Sequence, residues 1–255
     1  MDIGKALTFF TEDERWLEKI AIGTGLTVIS LILSPVLIGI VGFLIVAGYS
    51  IRLLQNVRNG DTRPLPEWNQ WGEDLVRGFK WAVVGIVWAW PLIVFGIPTS
   101  IGQALVNNSN NYGQGIGALF QICGGCLSFL YGIAILVMSP GFTIAYARDE
   151  EIRSGLQLTD IWNWTRNNLG QVIIVAVAYL VASILIFIAA GIVGTLLCVI
   201  GLIVTIPLGI LAMELFRGHL YGQLAREFPM TGNTGGSPFI SNLPSTGGDN
   251  PPSVQ

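Results

Sequence analysis

Few side chains in this 255-residue chain have types and spacing suited to chemistry. The sharpest motif is Cys123-Gly124-Gly125-Cys126. Cys-x-x-Cys can lower a thiol pKa and cycle between dithiol and disulfide. This one falls in a long apolar tract, in the outer half of an expected membrane span, where a thiolate is disfavoured. The same four residues also form a small-residue seam that lets helices approach closely. Cys198 is expected at similar depth in the last span, so three thiols could cluster. A zinc site would still lack a fourth ligand, and no histidine is near.

His219 is the only histidine. It follows the last apolar tract, near Glu214, Arg217 and Tyr221, and a histidine at a helix C-terminal end is favoured by the dipole as a surface residue. Glu214 and Arg217 are three apart, the spacing of an ion pair at the membrane interface. Leu243–Gly247 (LPSTG) matches a sortase sorting pentapeptide but lacks the following apolar stretch and basic tail. Asn107 and Asn163 open glycosylation-type triplets, the second in a segment expected to be cytoplasmic. No phosphate loop, zinc-protease helix or nucleophile elbow occurs, so no catalytic residue, cofactor site or metal site is expected.

The elements that would carry these residues are apolar. The chain is 52% hydrophobic and 11% charged, against about 25% charged in a soluble domain, and its mean hydropathy is +0.63. No Asp, Glu, Lys, Arg or His occurs in Ile20–Ile51, Trp81–Ala147 or Asn167–Met213. A bilayer-spanning helix needs about 20 such residues. With a net charge of −3 and no basic stripe, nucleic acid is excluded as a partner. The expected partners are the lipid bilayer and either another membrane protein or a second copy of this chain.

Four crossings are expected, at roughly Trp81–Ser100, Gly117–Tyr146, Gln171–Ala190 and Gly194–Phe216. They are joined by an uncharged loop at Val106–Gly115 and a turn at Ala189–Gly194. All 13 basic residues fall outside these connections. They lie in the N-terminal segment, the 52–80 bridge, the 148–166 bridge or beyond Glu214, and the positive-inside rule makes those four regions cytoplasmic. The Ile20–Ile51 tract then cannot cross once. As a single helix it would be about 48 Å long, against a core of about 30 Å, and Pro35 breaks its middle. A Pro-broken hairpin is favoured over a single tilted fifth span. The acidic start is unlike a secretory signal. Thr11–Glu14 (TEDE) has capping-box spacing that predicts a helix start, with Phe9, Phe10, Trp16 and Leu17 on an interfacial face.

The polar bridges are the remaining candidates for binding. Trp68, Trp71, Leu75 and Phe79 follow helical spacing after Pro66, which predicts an interfacial helix over Leu65–Lys80 that lies flat and then turns into the Trp81 span. A second bridge, with Trp162 and Trp164, predicts another over Leu156–Arg166 and suggests a weak internal duplication. Arg58, Pro64, Leu65, Pro66, Trp68, Trp71, Trp162 and Trp164 are therefore the candidate interfacial or partner-binding residues.

Three stretches carry a resemblance: GYSIRLLQNVRNGDTRPLPEWNQWGEDLVRGFK, SPGFTIAYARDEEIRSGLQLTDIWNWTRNNLG and ELFRGHLYGQL. With Gly-Tyr-x-x-Arg, Leu-Pro-x-Trp and Gly-x-x-Tyr/His in that order, they resemble the bacterial and archaeal membrane family called domain of unknown function 4013, over about residues 14–226. The chain is also distantly similar to the membrane domain fused to some glycerophosphodiester phosphodiesterases. The resemblance implies an integral membrane fold with no assigned activity and no catalytic residues.

The expected architecture is thus an all-α, polytopic transmembrane helical bundle with four spans, a Pro-broken N-terminal hairpin and cytoplasmic interfacial helices. Its parts are an amphipathic segment (1–19), the membrane domain (20–227) and a disordered Gly/Pro/Ser/Thr-rich tail (228–255). The leading functional expectation is a non-catalytic membrane scaffold or accessory subunit. Next comes a transporter or lipid-handling protein without ion coupling, since no acid or base lies in the three uncharged tracts. A thiol-redox protein acting through Cys123 and Cys126 is the third.

Overall fold

The computed structural model describes residues 1–108, 111–197 and 200–230. The LPSTG motif, Cys198 and all but the first three residues of the expected tail lie outside the described residues. Among the described residues every regular element is helical. The sequence runs through α1 (Ile3–Thr8), α2 (Trp16–Leu33), α3 (Gly39–Asn59), α4 (Trp71–Asn108), α5 (Asn111–Asp149), α6 (Leu158–Asn167), α7 (Leu169–Leu196) and α8 (Leu202–Glu227). Short 3-10 turns follow α1 and α2 and precede α6. Six helices, α2, α3, α4, α5, α7 and α8, are long and apolar enough to cross a membrane. The chain is a multi-pass membrane protein.

The N-terminal tract does form a hairpin. A 3-10 turn over Ser34–Val36 contains Pro35, and Leu37 then adopts a left-handed conformation at φ 62°. The turn can be this tight because glycines stand at positions 39 and 42 of α3. A Cβ on Gly39 would lie 1.9 Å from the carbonyl oxygen of Ser30, and one on Gly42 would lie 1.8 Å from the Ser30 hydroxyl. α4–α5 and α7–α8 are two further antiparallel pairs. Their connections are tighter than expected. Most of Val106–Gly115 is helical, and α7 runs through the supposed Ala189–Gly194 turn to Leu196. Ala189 and Ala190 are good helix formers, and Gly194 serves as a contact, where a Cβ would meet Leu202 and Thr205 at 2.5 Å.

α3 is the most enclosed of the six long helices, whereas α4 and α5 are the least. Gly48 of α3 and Gly78 of α4 bring two backbones together. A Cβ on either would lie 1.8 Å from a carbonyl oxygen of the other helix, that of Asp74 or Leu44. On the other flank Gly218 and Gly222 of α8 meet Ser50 and Val57 of α3. Tyr146, Phe216, Leu220 and Leu224 are among the buried residues that complete this core. Outside it α4, α5 and α7 expose Trp90, Ile93, Phe129, Leu130, Ile184 and Leu185. In water that surface would be a liability; against acyl chains it is the expected exterior.

The first polar bridge differs from expectation. Leu65–Gln70 is irregular, and Trp71–Lys80 is the opening of α4, continuous with its apolar part rather than a flat helix that turns at Trp81. Trp68 therefore does not share a helix face with Trp71. The second bridge is a separate amphipathic helix, α6. The two bridges are not structural duplicates. The capping box does not form either. α2 starts at Trp16, and Asp13 Oδ1 accepts instead from the Arg15 N–H at 2.8 Å. Phe9 is buried rather than interfacial.

Candidate functional site

All three hairpins open toward one end, where three of the four basic regions meet in a polar lock. Its centre is Asp74, which is 1% exposed. Oδ2 of Asp74 accepts from Arg52 Nη2 at 2.8 Å and Oδ1 from Arg77 Nη1 at 2.6 Å. Arg77 Nε continues to Glu150 at 2.8 Å, and Glu150 also accepts from Gln55 at 2.9 Å. A carboxylate flanked by two guanidiniums can be buried because both its oxygens and its charge are matched. This chain of contacts ties α3 to α4 and to the end of α5. Arg52 also reaches the Glu67 carbonyl at 2.6 Å and Asn69 at 3.2 Å, while its Nε has no partner.

A second group closes the N-terminal side. The Lys19 ammonium has three acceptors: Asp13 at 2.7 Å, Glu67 at 2.8 Å and the Leu65 carbonyl at 3.0 Å. Burial alone would raise the Asp13 pKa, but the Lys19 hydrogen bond and the Arg15 N–H outweigh it and leave the carboxyl below its ordinary value. The Lys19 hydrogen bond likewise lowers Glu67. Glu150 is lowered because Gln55 and Arg77 outweigh its burial.

The candidate binding residues divide between lock and exterior. The Trp68 indole stacks on Tyr49 and donates to the Lys19 carbonyl at 2.9 Å. Leu65 is buried, and the Pro66 carbonyl accepts from the Tyr49 hydroxyl at 2.7 Å. Pro64 is buried, with its carbonyl bonded to Asn56. Arg58 makes a long contact of 3.4 Å to the Ala147 carbonyl. Trp164 is buried and donates to the Phe228 carbonyl at 3.0 Å. Trp71 and Trp162 alone of the eight have exposed side chains.

The other candidates are scattered. Cys123 and Cys126 are exposed free thiols on the outer side of α5, while Gly124 between them packs against Thr99 and Phe95 of α4. His219 is not on the surface. It is 2% exposed, stacked on Phe9 at 4.2 Å, with Nδ1 3.1 Å from Gln223. The segment following α1 folds back over α8 and covers it. Glu214 and Arg217 do pair, but in a half-enclosed place where the Arg217 guanidinium lies 4.3 Å from the centre of the Trp81 ring. A cleft of about 680 Å³ at this end is lined by charges of both signs, among them Lys5, Asp61, Arg226 and Glu227. Among the described residues no group of three or more His, Cys, Asp or Glu is placed to hold a metal ion.

Sequence reasoning missed Asp74, the lock's centre. One partner, Arg77, stands at an ordinary i,i+3 spacing on the same helix, while the other, Arg52, comes from α3. The quoted signature motifs, in contrast, converge: Tyr49 meets Pro66 and Trp68, and Arg52 reaches the Glu67 carbonyl. A pattern match to the family described as Protein of unknown function (DUF4013) runs over residues 29–199. The chain belongs to that family. The matched span takes in the two bridges and stops short of the Glu214–Leu224 stretch quoted for the resemblance. No curated protein and no solved structure matches the chain, so the likeness to the phosphodiesterase membrane domain gains no support. Family membership brings no activity with it.

Proposed function

We propose that this multi-pass membrane protein is a non-catalytic scaffold or accessory subunit that holds a partner's membrane helices against the α4–α5 hairpin. One observation carries the proposal. The ionised side chains in the lock close on one another, leaving α4–α5 as the least enclosed pair of long helices. That hairpin is stiffened internally. Tyr131 donates to the Trp88 carbonyl at 2.9 Å, and Gly102 and Gly117 pack backbone on backbone. A rigid apolar arm anchored in a polar base suits helix–helix association in lipid, where close packing rather than hydrophobicity drives contact.

The test is crosslinking and pull-down from native membranes, comparing the intact chain with an Ile93→Ser/Phe129→Ser double substitution. Recovery of one protein partner, lost with the substitutions, supports the proposal. Recovery of lipid alone from both forms removes it and leaves lipid handling as the working hypothesis. A lipid-handling role draws on a different feature, the apolar groove beside α1.

A further inference from the structure

A groove of about 470 Å³ lies between α1, α7 and α8, and its lining is wholly apolar. Ile3 and Leu7 of α1 form one wall, Val177, Val181 and Leu185 of α7 another, and Phe216 of α8 contributes beside them. The groove exists because Ala178 and Ala182 stand where larger side chains would fill it. We infer that it holds one acyl chain of a membrane phospholipid, with the headgroup at the α1 end.

Depth, length and boundary all favour that occupant. α7 has the highest mean hydropathy of the six long helices, 3.0, so a groove along it faces hydrocarbon. From Ile173 to Leu185 the helix rises about 18 Å at roughly 1.5 Å per residue. One leaflet of a core about 30 Å thick is close to that length. A partner's transmembrane helix would need contact through the whole core, so the groove fits a lipid chain better.

The boundary is built rather than incidental. α1 is held to α8 by a reciprocal pair: the Asp2 N–H donates to Gln223 Oε1 at 2.7 Å, and Gln223 Nε2 donates to the Asp2 carbonyl at 2.9 Å. Ile3 and Leu7 thereby face the groove, while Asp2 and Lys5 line the polar cleft. Two exposed basic residues belong to the chain segments at this end. Lys5 has an ion pair only to Glu12, at 3.9 Å, and Arg166 has none among the described residues. Arg166 stands just ahead of the groove residues of α7 and complements a phosphate at the membrane surface, whereas Lys5 faces the polar cleft. This site is independent of the scaffold proposal, since it lies on α7 and not on α4–α5.

The full chain would be reconstituted in nanodiscs of equal parts phosphatidylcholine and phosphatidylglycerol, with a trace of phospholipid carrying a photoreactive acyl chain. After irradiation, labelled residues are mapped by mass spectrometry. Groove residues should be labelled about tenfold more than Ile93 and Phe129, which are exposed on α4 and α5, a preference of roughly 1.4 kcal/mol. Ala178→Leu/Ala182→Leu should abolish that preference. If this variant fails to fold, Arg166→Gln should reduce it without touching the groove. Even labelling of α4, α5 and α7 would mean ordinary boundary lipid and overturn the inference. Equal labelling by a photoreactive free fatty acid would overturn the phospholipid assignment. Neither result bears on partner recovery through Ile93 and Phe129, so the two proposals fail separately.

Discussion

The indole of Trp68 lies flat on the ring of Tyr49, with centroids 3.9 Å apart and planes 11° from parallel. Both polar tips are committed to backbone carbonyls, Trp68 to Lys19 and Tyr49 to Pro66. Removing the indole opens a large void and frees a buried carbonyl. Trp68→Ala should destabilise the protein by about 3 kcal/mol or more. Trp71→Ala, at an exposed position, should cost about 1 kcal/mol or less. Thermal unfolding in mild detergent compares them, and equal losses would show that the stack has no special weight.

Asp74 holds two guanidiniums at once, so its loss exposes an imbalance that an exposed pair does not. Asp74→Asn leaves Arg52 and Arg77 facing each other with a neutral amide between them. A cost of about 3–5 kcal/mol is expected for breaking a buried pair. Arg63→Gln removes only the exposed contact to Glu14 and should change stability by about 0.5 kcal/mol or less. If Asp74→Asn unfolds no earlier than Arg63→Gln, the lock is not what holds α3 to α4.

The hairpin at Pro35 was legible in the sequence because three local facts agreed: a tract too long for one crossing, a proline in its middle, and basic residues at both ends. Asp74 and Trp68 were not legible, because the contacts that enclose them, Arg52 on Asp74 and Tyr49 and Lys19 on Trp68, come from remote parts of the chain. Trp68 shares helical spacing with Trp71, Leu75 and Phe79, yet its indole N–H is bound to a carbonyl 49 positions earlier. That long-range contact and the stack on Tyr49 hold residues 65–70 out of the helix that local periodicity suggested. His219 followed the same logic. The dipole argument put it on the surface, but Phe9, from the opposite end of the chain, covers it. Local spacing places helices, whereas coverage depends on which remote segment folds back.

Acid should weaken the contacts around the lock's centre. Asp13, Glu67 and Glu150 all have carboxyl groups held below their ordinary values in the folded chain. At these three groups the folded state binds fewer protons than the unfolded state in the acid range, so their contribution to stability rises with pH. The contribution is complete above the ordinary carboxylate range, about 4, and is lost as pH falls through the lowered values. Melting temperature should be level from neutrality to about pH 5 and fall steeply below it. Glu67→Gln should lessen the fall. A profile unchanged down to about pH 3 would contradict the shifts.

Gly48 and Gly78 make a sterically sharper case. Each brings its backbone so near the facing helix that a methyl group would overlap a carbonyl oxygen, which cannot swing aside as a side chain would. Gly48→Ala should separate α3 from α4 and draw Asp74 away from Arg52. Gly85→Ala, where a Cβ meets nothing within 4 Å, should be neutral or stabilising by up to about 1 kcal/mol from helix propensity. Similar yields of folded protein for the two would mean that the helices can shift to admit the methyl.

The lock also predicts which residues share a side of the membrane. Glu14 and Arg63 lie 2.7 Å apart although α2 and α3 separate them in sequence, and Trp164 meets Phe228 across α7 and α8. An even number of crossings must lie between the members of each pair. Single cysteines at Glu14, Asp61, Asn163 and Glu227, in a background lacking Cys123, Cys126 and Cys198, should all react with an impermeant maleimide from the same side. A cysteine at Gln114, in the first turn of α5, should react from the other. The positive-inside rule predicts that the first side is the cytoplasmic one. Reaction of the Glu14 and Asp61 positions from opposite sides would require a single N-terminal crossing, and the Lys19–Glu67 contact could not then form across the bilayer.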